Sequence, residues 1–223
     1  MPILTLFHCM SARSFRPLWA LEELGLPYTL KMLPFPPRVH AREFMKVNAL
    51  GTIPALVHGD ITMTESVAIC HFLATGNGPS HLAISPGHPQ YGPFLNWLHF
   101  GEATLTFPQT IILRYGRFEP VERRLPQAAE DYRKWFLARL RAIDTVVNSK
   151  SYLCGEDFTV ADISVGYALM LASYLDLTEN FPAGALAYWE RLQAREGYQR
   201  ALAVQLRTAR EQGVPEIPAP LAY

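Results

Sequence analysis

The stretch GNGPSHLAISPGHPQYG, Gly76–Gly92, constrains this chain more than any other. A run so dense in glycine, proline and serine does not carry a helix or strand through itself, so it reads as a linker, placed at 77–90. The patterns on its two sides differ. Before it, short apolar runs alternate with amphipathic ones; after it come long helical patterns with no convincing strand. Two domains follow, an α/β one over 1–76 and an all-α one over 91–223.

In the first domain, ILTLF (Ile3–Phe7) is a strand candidate. The run that follows carries Phe15, Leu18, Trp19 and Leu21–Leu24 at helical spacing and stops at Gly25, with Pro27 beyond. YTLKML is a second strand, PFPPR a rigid loop, and AREFMKVN a short helix ending near Asn48–Gly51. Ala55–Val57 and Ile61–Met63 flank His58-Gly59-Asp60, a hairpin signal. Thr64 is placed to cap the next helix, whose apolar face is Ala68, Ile69, Phe72 and Leu73. The order β-α-β-α-β-β-α predicts a mixed sheet with helices on both faces.

Beyond the linker the helical patterns cover 91–115, 121–147, 159–175, 182–194 and about 198–210. In FTVADI, Thr159 and Asp162 form a capping box and Phe158 with Ile163 a hydrophobic staple, which is a folding signal. The proline-rich tail GVPEIPAPLAY is expected to wrap the surface. No internal repeat or low-complexity tract stands out.

Lys+Arg and Asp+Glu both total 20, which gives no electrostatic case for nucleic acid or an anionic membrane; RVHAREFMK is the one mildly basic stretch. Three widely spaced cysteines, Cys9, Cys70 and Cys154, form no CxxC pair and no metal-ligand spacing, so neither a disulfide framework nor a metal is expected. No signal-peptide pattern opens the chain and no run reaches the ~18 apolar residues of a membrane span. The expectation is a soluble cytoplasmic protein.

Two local motifs carry chemistry. A proline at a strand's first residue has a reason, and a cis Ile53-Pro54 bond would turn the Ile53 backbone N–H and C=O outward to pair with an extended, peptide-like ligand. A trans proline at a strand edge is the plain alternative. In MTESVAIC, Glu65 and Ser66 fall in the first turn of a helix. There the unpaired N–H groups and the Ser66 hydroxyl suit a carboxylate, and Glu65 suits an ammonium. Ordinary capping is the alternative. Trp97, Phe100, Phe107 and Tyr115 form an aromatic helix face, which by itself reads as core.

Taken together, ALEELGLPYTL, FMKVNALGTIPALVHGDITMTESVAICHFLA and GEDFTVADIS resemble the cytosolic glutathione S-transferase family, of the bacterial kind near the theta, zeta and beta classes. The resemblance spans essentially the whole chain. It implies a thioredoxin-like N-terminal domain, an all-α C-terminal domain, a homodimer, and glutathione as co-substrate with no metal. It implies that Ile53, before cis-Pro54, pairs with the cysteinyl part of glutathione, and that Glu65 and Ser66 grip the γ-glutamyl end. Thr52 stands where many relatives carry lysine, and His40 is a candidate for the glycyl end.

Counted back from ALEELG, Ser11-Ala12-Arg13-Ser14 occupies the slot of the thioredoxin-like C-x-x-C. By the resemblance, Ser11 or Ser14 donates to the glutathione thiolate, and Arg13 stands where beta-class relatives carry cysteine; pointing into the site, its charge would favour the thiolate as well. The expected function is a detoxifying transferase that adds glutathione to a small apolar electrophile held near Phe100, Thr104, Phe107 and Tyr115. The rivals are a glutathione-binding or protein-interaction module without turnover, and thiol–disulfide exchange or reductive ether or peroxide cleavage.

Overall fold

The structure is a computed structural model that describes residues 3–76, 78 and 80–222. Asn77 and Pro79, within the expected linker, lie outside the described residues. The chain divides into two compact units. The first takes the residues up to Ser80 together with Ala194–Ala222; the second is His81–Gln193. The sequence reading carried the helical domain on to 223, whereas the contacts group 194–222 with the first unit.

The first unit is a four-stranded sheet in the order β2-β1-β3-β4. Strand β1 (Leu4–His8) pairs parallel with β2 (Tyr28–Met32) and antiparallel with β3 (Ala55–His58), which pairs antiparallel with β4 (Ile61–Met63). The period-two pattern of β1 buries Leu4, Leu6 and His8. Helix α1 (Phe15–Leu24) buries Phe15, Leu18, Trp19 and Leu21 and ends on Gly25 at φ +62, a left-handed position that glycine takes without penalty. A one-turn α2 (Pro37–His40) starts on proline, and a 3₁₀ turn, Arg42–Lys46, replaces the expected short helix. Helix α3 (Ser66–Thr75) closes the β-α-β-α-β-β-α order of a thioredoxin-like fold. Its N-cap is Glu65, not Thr64.

The last long helix of this unit, called α9 from its place in the chain, spans Glu196–Glu211 and packs on α1. Tyr198 meets Phe15 and Trp19 edge-on, with ring centroids 5.5 and 5.0 Å apart. Arg195 clamps Glu23 through two bonds of 2.7 and 2.9 Å. Past the helix, Gln212 takes the N–H of Met32 and donates to the carbonyl of Leu30, which covers the β2 edge. The tail does more than wrap the surface: Ala219 is buried and its N–H donates to the carbonyl of Met10 at 2.7 Å.

The second unit opens with one helical run. Helix α4 (Tyr91–His99) continues through a π-helical stretch, Phe100–Thr106, into α5 (Phe107–Leu113) and a second π-helical stretch, Arg114–Phe118. Proline at 108 removes a helix donor, and the Thr106 hydroxyl donates to the carbonyl of Gly101 at 2.7 Å. A side chain at Gly101 would collide with Ser164 on α7 (Val160–Ser173). Helix α6 (Pro126–Val147) begins at its proline, with a separate 3₁₀ turn at Val121–Arg123 where the sequence pattern ran on unbroken. Helix α7 is buried from Val160 to Ala172, and its capping box is formed as the sequence predicts. Helix α8 (Ala183–Gln193) completes the unit. Among the described residues no helix is long and apolar enough to cross a membrane.

Candidate functional site

At the start of α3 the first turn leaves backbone N–H groups without helical partners. Ser66 is the first helical residue and buried, and Glu65 beside it is exposed. Beneath them lies Arg16 of α1, fully buried, whose Nη1 donates to Ser66 Oγ at 3.1 Å. A guanidinium withdrawn from water keeps far more of its field than one at the surface, so it reinforces the positive end of α3. Burial pushes the thiol of Cys70, one turn along α3, up to about 12, and the charge of Arg16 works against that rise. Sequence reasoning passed over Arg16. The available signal was a charge lying within the apolar run of α1.

The loop before β3 is tied by Asn48, whose Nδ2 donates to the carbonyl of Thr52 at 2.7 Å and to its Oγ1 at 3.2 Å. Its Oδ1 accepts from the N–H of Leu50. The Ile53–Pro54 bond is cis, and Pro54 is buried. Ile53 is half-buried against Cys9, Ala12 and Ala219. Thr52 is exposed, as is His40 at the end of α2.

The loop between β1 and α1 holds the Ser11–Ser14 tetrad. Both serines are buried, and the side chain of Ser14, the N-cap residue, makes no capping bond to α1. Ser14 Oγ accepts from the N–H of Cys9 at 3.3 Å. Ser11, at φ +51, gives its N–H to Gln205 Oε1 at 3.0 Å, and its Oγ lies 3.3 Å from Gln205 Nε2. His8 Nε2 meets the same Gln205 oxygen at 2.9 Å. Arg13 is the half-exposed member of the tetrad. Burial drives the Cys9 thiol well above its usual range and holds the His8 imidazole down at about 4. His8 and Gln205 were also missed. Gln205 is legible in hindsight as a polar residue on the buried Ala201–Gln205–Ala209 stripe of α9.

In the second unit an open groove of about 390 Å³ is lined by Leu95, Asn96, His99, Phe100, Ala103 and Thr104. It brings together Phe100 and Thr104 of the expected electrophile pocket. Phe107 and Tyr115 are not among its lining residues; Phe107 is 54% exposed and Tyr115 half-buried. The turn-by-turn drift of the π-helical stretch 100–106 separates positions that an ideal helix would align. Among the described residues no cluster of three or more histidine, cysteine, aspartate or glutamate side chains could hold a metal.

The chain is similar to known proteins in sequence and in fold. A family model described as glutathione S-transferase, N-terminal domain, covers residues 10–75. Glutathione S-transferase 3 of Schizosaccharomyces pombe is 28% identical over 203 residues, covering 85% of this chain and 82% of the relative. The solved structure of the glutathione transferase URE2P6 of Phanerochaete chrysosporium, in complex with oxidised glutathione, matches with a TM-score of 0.79 at 27% identity, over 92% of this chain and 97% of that one. The URE2P8 transferase of the same organism matches in fold with a TM-score of 0.81 at 23% identity, over 94% of this chain and 98% of its own.

Proposed function

This chain belongs to the cytosolic glutathione S-transferase family, and from that premise we propose that it is a glutathione transferase. The observation that carries the reading is the start of α3, where Ser66 sits over the buried Arg16 guanidinium with Glu65 exposed beside it. Such a corner takes the carboxylate of the γ-glutamyl group at Ser66 and the first-turn N–H groups, and the ammonium at Glu65. Ile53 pairs through its backbone with the cysteinyl part, and Thr52 and His40 meet the glycyl end.

The thiol then lies toward the loop between β1 and α1, where the positive charge of the half-exposed Arg13 favours its ionised form. A free thiol titrates at about 8.5, and each unit of depression is about 1.4 kcal/mol of preference for the thiolate. The thiolate sulfur bonds to the electrophilic carbon. Either a leaving group departs with the bonding pair, or a proton is taken up at the neighbouring atom of an activated double bond. We assign the apolar co-substrate to the groove at Phe100 and Thr104. The protein works as a homodimer in cytoplasmic detoxification, and a monomer in sedimentation at micromolar concentration would count against the dimer.

Burial raises the pKa of all three cysteine thiols, so none is primed as a nucleophile at neutral pH, which disfavours thiol–disulfide exchange run by the protein. One observation favours the second reading, a module that binds glutathione without turnover: the Ser11 and Ser14 oxygens are both engaged inside the fold. The deciding experiment is the pH dependence of the ultraviolet thiolate absorbance of bound glutathione, for wild type, Arg13→Gln, Ser11→Ala and Ser14→Ala. A depressed thiol pKa that Arg13→Gln returns toward its free value supports the transferase with Arg13 in charge. A depression lost only in one serine variant moves the role to that hydroxyl. An undepressed thiol in wild type leaves the binding module.

A further inference from the structure

The three bonds at Gln205 determine one another. The N–H of Ser11 can only donate, so the amide oxygen of Gln205 must face it, and the amide nitrogen then donates to Ser11 Oγ. That same oxygen lies 2.9 Å from His8 Nε2, which must therefore carry the imidazole proton. His8 Nδ1 makes no well-formed hydrogen bond among the described residues; burial dominates in lowering the imidazole's pKa, and Gln205 and the Ser14 backbone work against it. All three side chains are at most 3% exposed, so these bonds act in a medium that strengthens them. Ser11 meanwhile sits at φ +51, a conformation that non-glycine residues adopt at a cost and keep only when their surroundings hold them there. Gln205 grips that residue from both sides, on backbone and hydroxyl.

We propose that Gln205 of α9 is a positioning residue for the thiol-activating loop. It holds Ser11 left-handed, and so fixes the path of 10–14 and with it the placement of Arg13. The proposal rests on the transferase reading. The segment that completes this loop therefore comes from the far end of the chain, with Ala219 adding a second tie through Met10.

The test compares Gln205→Leu with Gln212→Leu and Gln205→Glu in the full-length protein. Gln212 likewise makes two side-chain bonds across this unit, but to the backbone of β2 and to none of residues 10–14. Both leucine variants should lower the melting temperature. Only Gln205→Leu should raise the thiol pKa of bound glutathione, by about one unit, which is a tenfold loss of thiolate at a fixed lower pH. Its kcat should fall by a similar factor with a smaller change in glutathione affinity. Gln205→Glu keeps oxygens for Ser11 N–H and His8 but loses the donor to Ser11 Oγ, and should fall between, which covers the case of a leucine variant that does not fold. A depressed thiol in wild type that neither Gln205 variant moves overturns the proposal. So does an equal shift in Gln212→Leu, which would mark general loosening. A wild type without a depressed thiol sinks the transferase reading instead.

Discussion

His8 illustrates how a single side chain ties the site to the stability of the fold. Its imidazole is fully buried and held neutral, with its pKa lowered to about 4 from an ordinary 6.5 chiefly by burial and in spite of the bond to Gln205. Between those values the unfolded chain carries a proton on His8 that the folded chain does not. Stability from this residue is therefore complete above pH 6.5 and is lost as pH falls toward 4, by about 3 kcal/mol in all. Urea unfolding midpoints measured from pH 7 to 4.5 should fall more steeply for wild type than for His8→Gln, which cannot titrate. Parallel curves would refute the buried neutral imidazole. The sequence located the tetrad Ser11–Ser14 and the Glu65–Ser66 pair because both stand at fixed offsets from recognisable runs. It was silent on which way the Ser11 hydroxyl turns, because its partner Gln205 is separated from it by 194 positions.

At the level of elements, the capping box of α7 shows a local signal that tertiary structure then exploits. Thr159 Oγ1 accepts from the N–H of Ala161 at 3.3 Å, and Asp162 Oδ2 accepts from the N–H of Thr159 at 2.9 Å. The other carboxylate oxygen takes the N–H of Leu153 at 3.0 Å and the Tyr188 hydroxyl at 2.8 Å. FTVADI declared the first half of this arrangement, since both partners are neighbours in sequence. Leu153 and Tyr188 were invisible, because they arrive from a loop and from α8. The consequence is an asymmetry between the two residues. Thr159→Ala removes one cap and should cost about 1 kcal/mol. Asp162→Ala strands several buried donors and should cost about 3–5 kcal/mol. Equal losses in denaturant unfolding would show that Asp162 acts only as a local cap. The same contrast explains why α6 starts late: Pro126 and the turn at Val121–Arg123 set its beginning, while the apolar pattern alone ran through them.

On the scale of the whole chain, the grouping of 194–222 with the first unit was not legible, because helical periodicity states that a segment has a buried face but not what covers it. The cover comes from Tyr198 against Phe15 and Trp19, the Arg195–Glu23 clamp, and Gln205 and Gln212 beneath the loop and the β2 edge. If these contacts make one cooperative body, a loss at α9 must be felt in β1. Tyr198 is 3% exposed, and its replacement by alanine should cost about 3–5 kcal/mol. Native-state hydrogen exchange offers the direct reading: in Tyr198→Ala, the slowest amides of α9 and of β1 should lose protection by the same factor. Loss confined to α9 would make the C-terminal helix an appendage that frays by itself. Gln205 could not then hold Ser11 in place, because a helix that opens independently of the sheet releases the loop each time it does so.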